Sequence, residues 1–296
     1  MYKDTFFEKK HLINCGGKLL DLSIPRVMGI LNITPDSFYD GGKYQNEIAI
    51  TKRVKKIYEE GADIIDVGAC STRPGAIEIS TNEEWLRLSK ALEIIRALYS
   101  DVIISVDTFR SEIAKKAVTE FGTSIINDVS AGNADPKMFE TIAALQVPYI
   151  IMHMQGNPHT MQLKPHYKDI INEIIGFLAK KSEELKKLGV NDIIADPGFG
   201  FGKTIEQNYQ LLNHLSSLEI LDLPILAGIS RKSMIYKELN ILPEEALLGT
   251  TILNTLALER GTDILRVHDV KEAKQTIQLY LKTREEGKNY LQQLSD

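Results

Sequence analysis

Short apolar runs alternate with longer amphipathic stretches along nearly the whole chain. Eight runs stand out: Val27–Thr34, Asp63–Gly68, Ile103–Thr108, Ser124–Ser130, Tyr149–Met154, Asp192–Gly198, Pro224–Ser230 and Ile264–Asp269. Each is short and rich in Ile and Val, as strands buried on both faces of a parallel sheet require. Between them the apolar period lengthens to that of a helix. Asn46–Glu60 ends at Gly61, a helix C-terminal signal. Asn82–Leu98 follows the N-cap cluster Ser80-Thr81-Asn82. Ser111 is expected to cap a helix that runs to Glu120 and stops at Gly122. Tyr167–Leu188 is a long amphipathic pattern ending at Gly189. Thr204–Leu215, Pro243–Arg260 and Val270–Thr283 are further helical stretches.

This alternation predicts an α/β fold, and its count favours a closed (β/α)8 TIM barrel over an open doubly wound sheet. No composition shift or Pro/Gly/Ser linker divides the chain, so one domain over 1–296 is expected. Within it, 1–24 reads as an N-terminal extension, 25–285 as the barrel and 286–296 as a polar tail that frays. Leu12–Leu20, with Gly16-Gly17 at its centre, reads as a small hairpin placed to cover the barrel bottom.

Composition narrows the function classes. A length of 296 residues is ordinary for such a barrel, and 43% hydrophobic with 25% charged residues fits a globular protein. With 35 basic against 40 acidic residues the net charge is −5, a poor basis for non-specific nucleic-acid binding. Cys15 and Cys70 form no metal-type pair and no disulfide framework, which points to a reducing cytoplasm. The first residues lack the apolar core of a signal peptide, and no run approaches the ~20 apolar residues of a membrane span.

In a barrel of this kind the chemistry sits at the C-terminal strand ends. Those ends carry Asn32, Asp107, Asn127, Asp196, Lys232, Arg266 and His268. Asp and Asn also cap helices, so any one of them has a bland explanation. Thr204 and Ser111 read as caps only, and Asp128 and Asp269 stay open between cap and function. Burying Asp107, Asn127, Asp196, Lys232 and Arg266 together is costly without mutual pairing or a polar ligand, which favours one shared site. Two carboxylates, an amide, a lysine and an arginine, with Phe38, Phe201 and Met154 near, suit a flat nitrogen-rich heterocycle. Arg73, His268 and Asn32 lie on neighbouring strand ends and suit an anion, such as a phosphate with a metal. The segment Gly198-Phe199-Gly200-Phe201-Gly202-Lys203 lacks P-loop or dinucleotide spacing. His153 reads as lying behind the site, and His11, His159, His166 and His214 as ordinary histidines.

These segments closely resemble the dihydropteroate synthase family. The matching stretches are Met28–Phe38, Ser71–Gly75, Ser105–Thr108, Ile126–Asp128, Asp196–Lys203, Ser230–Ser233 and Arg266–Asp269. The resemblance implies a transferase of folate biosynthesis and a sulfonamide target. It would join (7,8-dihydropterin-6-yl)methyl diphosphate to 4-aminobenzoate by an SN1-like route. It further implies that Asp107, Asn127, Met154, Asp196 and Lys232 hold the pterin, with Arg266 stacked on its face. Arg266 and His268 border the diphosphate pocket, and Thr72, Arg73 and Pro74 lie on a mobile loop above it. Phe38, Phe201 and Ser233 resemble residues around 4-aminobenzoate. Asn32, helped by Asp40, resembles the magnesium ligand. Catalytic roles would fall to Arg73, Asp107, Asp196, Lys232, Arg266 and His268. A cytoplasmic homodimer is implied; the stripe Ala246-Leu247-Thr250-Ile252-Leu253-Leu256-Ala257 reads as a candidate dimer face or as packing against the barrel, and part of it must be the latter. The family's usual Gly-Gly-Glu before its Ser-Thr-Arg-Pro-Gly loop is Gly68-Ala69-Cys70 here, and Cys70 reads as a small buried thiol.

Two other readings compete. One is a pterin-binding methyltransferase domain serving a corrinoid partner; the full Ser-Thr-Arg-Pro-Gly and Ser-Arg-Lys-Ser motifs argue against it. The other is a non-catalytic homologue that only binds a pterin; the intact loop sequences argue against that.

Overall fold

The computed structural model describes residues 12–33, 43–70, 79–156, 161 and 165–295, with 43–46 and 287–295 described by backbone alone. All eight apolar runs form parallel strands: Arg26–Asn32 (β3), Ile64–Gly68 (β4), Ile103–Asp107 (β5), Ile125–Asp128 (β6), Tyr149–Met152 (β7), Ile193–Asp196 (β8), Leu226–Ala227 (β9) and Ile264–Val267 (β10). They are hydrogen-bonded in the order β8-β7-β6-β5-β4-β3-β10-β9. A parallel bridge between Ala195 and Ile225 joins the two ends, with the Ala195 N–H on the Pro224 carbonyl at 2.8 Å, so the barrel closes. β9 is only two residues long: the N–H of Ile225 just before it goes to the Asp263 carboxylate at 2.6 Å, and Gly228 follows.

Side chains alternate across each strand. Ile65, Val67, Ile104, Val106, Ile126, Ala195, Leu265 and Val267 point outward into the apolar layer shared with the helices. The inward set changes character along each strand. At the N-terminal end Met28, Ile64, Ile103, Ile125, Ile150, Ile194, Leu226 and Ile264 form one apolar ring, a residue from every barrel strand. Two residues further on, the inward positions become Asp66, Ser105, Asn127, Asp196 and Arg266. The bottom is oil and the mouth is polar.

The hairpin closes the bottom. Leu12–Cys15 (β1) and Lys18–Asp21 (β2) pair antiparallel about Gly16 and Gly17, whose φ of 66° and 89° suit a two-residue type I′ turn. Ile13, Cys15, Leu20 and Leu22 pack into the same cluster as the apolar ring. Burial pushes the Cys15 thiol up to about 12, so it serves as a packing group.

The helices are Lys43–Glu59 (α1), Thr81–Leu98 (α2), Ser111–Phe121 (α3), Met138–Leu145 (α4), Ile170–Lys187 (α5), Ile205–Asn213 (α6), Ser233–Tyr236 (α7), Leu247–Glu259 (α8) and Val270–Ser295 (α9). Several boundaries differ from the sequence reading. α4 has no predicted counterpart, because two turns are too short to establish a period. Ser111 does not cap α3; Arg110 holds the cap position, and the Ser111 N–H donates to Asp135 Oδ2 at 2.8 Å. Thr204 does cap α6, in a reciprocal box with Gln207. Pro243–Arg260 divides into a 3-10 turn at Pro243–Glu245 and α8. α9 continues as helix to Ser295, past the point where composition suggests fraying.

Candidate active site

The strand register places the inward polar groups side by side. Asp66 lies opposite Ser105, Gly68 opposite Asp107, and Asp107 opposite Asn127. Arg266 reaches across from β10 to this group. Its Nε donates to Asp66 Oδ2 at 2.7 Å, and its Nη2 lies 2.6 Å from that oxygen and 2.9 Å from Asp107 Oδ2. The Ser105 hydroxyl donates to Asp66 Oδ1 at 2.6 Å. Asn127 turns its Nδ2 toward Asp66, at 3.4 and 3.5 Å from the two oxygens.

This packing shifts the charges. Burial pushes the Asp107 carboxyl up to about 7; Arg266 opposes the rise, while Asp66, Asp128 and Glu84 add to it. Burial also raises Asp196, against Lys232 and a 2.7 Å hydrogen bond from the Gly198 N–H. Burial opposes the Arg266 charge, yet Asp66 and Asp107 hold the guanidinium proton more tightly than usual. Burial brings Lys232 down to about 8, with Asp196 opposing and Arg266 assisting.

Lys232 caps α7 by its backbone and sends Nζ inward to the Phe199 carbonyl, 4.6 Å over the Phe201 ring. Its approach requires bare backbone at Gly200, where an added Cβ would sit 3.1 Å from Lys232 Cδ at a φ of +80°. A Cβ at Gly198 would stand 2.0 Å from the His153 carbonyl oxygen. Lys203 fastens this loop from behind. Its buried Nζ donates to the Gly198 and Phe201 carbonyls at 2.8 and 3.0 Å and lies 3.2 Å from His153 Nδ1. Burial and the Lys203 charge press His153 down to about 3, so the ring is a neutral acceptor behind the site, as its position predicts.

The other side of the mouth belongs to β10, β3 and β4, which are neighbours in the barrel. The His268 N–H donates to Ser230 Oγ at 3.1 Å, and that hydroxyl lies 3.1 Å from His268 Nδ1. Donation of the hydroxyl to Nδ1 leaves Nε2 carrying the ring proton. Burial and Arg266 bring His268 down to about 4, so it is a neutral donor in the free protein. Arg231 pairs with both oxygens of Asp269, at 2.9 and 2.8 Å, which gives Asp269 a structural role. Asp128 is likewise structural: it accepts the Ser130 and Gly132 N–H groups and the Tyr149 hydroxyl.

Asn32 ends β3 opposite Gly68, with its Oδ1 3.6 Å from where a Cβ of Gly68 would stand. Among the described residues no group of three or more His, Cys, Asp or Glu is arranged to hold a metal ion. An amide oxygen at the rim fits magnesium, which keeps most of its waters and takes phosphate oxygens from a substrate. Met154 and Ser233 are half-buried, after β7 and at the start of α7. Phe38, Asp40, Thr72, Arg73 and Pro74 lie outside the described residues. Next to that second segment, Arg110 bonds the Ile79 carbonyl at 2.8 Å, contacts Cys70 Sγ at 3.6 Å and pairs with the buried Glu84. Burial pushes the Cys70 thiol up to about 12.

Sequence reasoning gave no role to Asp66, Ser105 or Lys203. Strand alternation carries the signal for the first two, since Asp66 is two residues before Gly68 and Ser105 two before Asp107.

The family described as pterin binding enzyme matches residues 28–268. The dihydropteroate synthase of Escherichia coli is 42% identical over 278 residues, 93% of this chain and 98% of that protein. The Xanthomonas albilineans dihydropteroate synthase with 4-aminobenzoic acid superposes with a TM-score of 0.86 at 38% identity, covering 93% of this chain and 98% of the other. The same enzyme in complex with 7,8-dihydropteroate gives a TM-score of 0.82 at 36% identity, covering 92% and 98%. A polar mouth built on these motifs, matched over nearly the full length of both chains, places this chain in the pterin-binding enzyme family, among the dihydropteroate synthases.

Proposed function

We infer that this chain condenses (7,8-dihydropterin-6-yl)methyl diphosphate with 4-aminobenzoate to give 7,8-dihydropteroate and diphosphate. The observation that carries this reading is the inward cluster of Asp107, Asn127, Asp196, Lys232 and Arg266 at one barrel mouth. Asp107 and Asp196 accept the N–H groups of the pterin edge, Asn127 and Lys232 complete that edge, and Arg266 lies against the ring face. Met154 lines the same pocket. Phe201, beside Lys232, and Ser233 border the 4-aminobenzoate with Phe38.

The chemistry is dissociative. The methylene C–O bond breaks with its electron pair leaving on the diphosphate, and the cation delocalises into the pterin. The aniline nitrogen then forms the C–N bond and loses a proton. Arg266, the Nε2–H of His268 and Arg73 stabilise the departing diphosphate, and Asp107 and Asp196 stabilise the cation. Excluding water, a task the family resemblance gives to Thr72, Arg73 and Pro74, would keep the cation from being trapped as an alcohol. Asn32, with Asp40, would hold magnesium, which supplies positive charge to the diphosphate oxygens.

The exposed side of α8 supports a homodimer, since Leu248, Ile252 and Leu256 stand out at every fourth residue. No described helix is long and apolar enough to cross a membrane, and a cytoplasmic enzyme acting on small molecules is the reading we adopt. Diphosphate release that depends on 4-aminobenzoate tests the function. No dihydropteroate formed, or diphosphate release no faster with 4-aminobenzoate than without it, would overturn the assignment.

A further inference from the structure

Asp66 is a fully buried carboxylate that the reaction as described does not use. It has 0% exposure, whereas the side chains of Asp107 and Arg266 keep 15% and 20%. A ligand in the mouth therefore reaches Asp107 and Arg266 but not Asp66. Yet Asp66 touches three residues that surround the pocket. One oxygen takes the Nε and Nη2 of Arg266, the other takes the Ser105 hydroxyl, and the carboxylate faces the Asn127 amide nitrogen.

We propose that Asp66 is a positioning residue for pterin recognition: it holds the Arg266 guanidinium and the Asn127 amide so that Asp107 keeps acceptor capacity for the ligand. Three geometric facts support this. Two N–H groups of Arg266 converge on Asp66, which fixes the guanidinium plane as a single contact would not. Only one of those groups, Nη2, is shared with Asp107. The Asn127 nitrogen faces Asp66, so its carbonyl oxygen is turned away as an acceptor. Without the Asp66 charge, Arg266 would turn its fork onto Asp107 and occupy the oxygens a pterin edge needs. An asparagine in its place could offer the guanidinium one neutral amide oxygen but not the charge that draws both of its N–H groups.

The proposal rests on the pterin-condensing function inferred above. The test measures two substrates separately in Asp66→Asn and Ser105→Ala, with turnover of the unaltered enzyme as control. Affinity for 6-hydroxymethyl-7,8-dihydropterin, read by calorimetry, should fall by on the order of tenfold to a hundredfold in Asp66→Asn. The KM for 4-aminobenzoate at saturating pterin diphosphate should stay within about twofold. Ser105→Ala removes one donor to Asp66 and should weaken pterin binding about fivefold with the same split. If Asp66→Asn does not fold, Ser105→Ala decides alone. Unchanged pterin affinity, or equal losses for both substrates, overturns the positioning role. An unaltered enzyme that makes no dihydropteroate would instead overturn the function and leave the two failures distinct.

Discussion

A carboxylate that must accept N–H bonds from a heterocycle serves only when ionised. Asp107 is raised to about 7, first by burial, so its charge is partly lost just below neutrality. On the proposed role the ionised form binds the pterin edge, so affinity should be complete only well above pH 7, half-maximal near it, and should fall below it by an amount approaching about tenfold per unit. Calorimetry with a pterin lacking the diphosphate isolates this term, and a flat profile between pH 5.5 and about 8 would refute it. Asp107→Asn should be weak at every pH and lose the slope. At this scale the sequence was most legible where a polar residue ends an apolar strand, as with Asp107, Asn127, Asp196 and Arg266. Asp66 was less legible because it sits in mid-strand, where alternation alone marks it, and Lys203 because its partners are mainly backbone carbonyls, which no local pattern displays.

Among the elements, the segment Gly198–Lys203 shows how a turn is held in a shape its own hydrogen bonds do not fix. Three of its residues have positive φ, at 73°, 80° and 58° for Gly198, Gly200 and Gly202. Besides the Tyr167 hydroxyl on the Gly202 carbonyl and the Gly200 N–H on Asn208, the segment is held by Lys203, whose Nζ collects the Gly198 and Phe201 carbonyls beside His153. Lys203→Met keeps the chain length but takes a donor from both carbonyls, leaving Gly198 only the Phe201 N–H at 3.1 Å, a loss of about 1–3 kcal/mol before relaxation. The melting temperature should fall, and the KM for 4-aminobenzoate should rise, since Phe201 sits on this turn. Burial also lowers Lys203 to about 7, so the unfolded chain holds its proton more tightly. That group therefore makes stability rise between pH 7 and about 10.5, a slope the methionine variant should lack. Periodicity made the long helices and the strands legible. It missed α4, two turns long, and ran α8 through Pro243–Glu245, where a 3-10 turn begins instead.

For the whole molecule, the barrel assigns different tasks to its bottom, mouth and side. The bottom is filled by the apolar ring and the hairpin, which share one cluster. The mouth carries the charged residues, and the side is covered by helices, of which α8 is unusual. Ala246, Thr250, Leu253 and Ala257 from the predicted stripe are buried against the protein. Ile252 and Leu256 from that stripe, together with Leu248, are 51%, 37% and 72% exposed. Sequence could mark an apolar stripe on α8 but not divide it into buried and exposed parts, because the division depends on which neighbours it packs against. Leu239 extends the outer face, lying beside Gly249, and Leu279 is exposed on α9, which packs against α8. A row of large apolar side chains at a four-residue spacing costs little in a monomer but offers a ridge that an identical helix can meet across a two-fold axis. Leu248→Glu with Ile252→Glu would place like charges opposite one another at that axis, while leaving the buried side of α8 intact. Sedimentation should then show a dimer for the unaltered chain and a folded monomer for the double variant. A monomeric unaltered chain at micromolar concentration, or a double variant that still dimerises, would remove α8 as the interface.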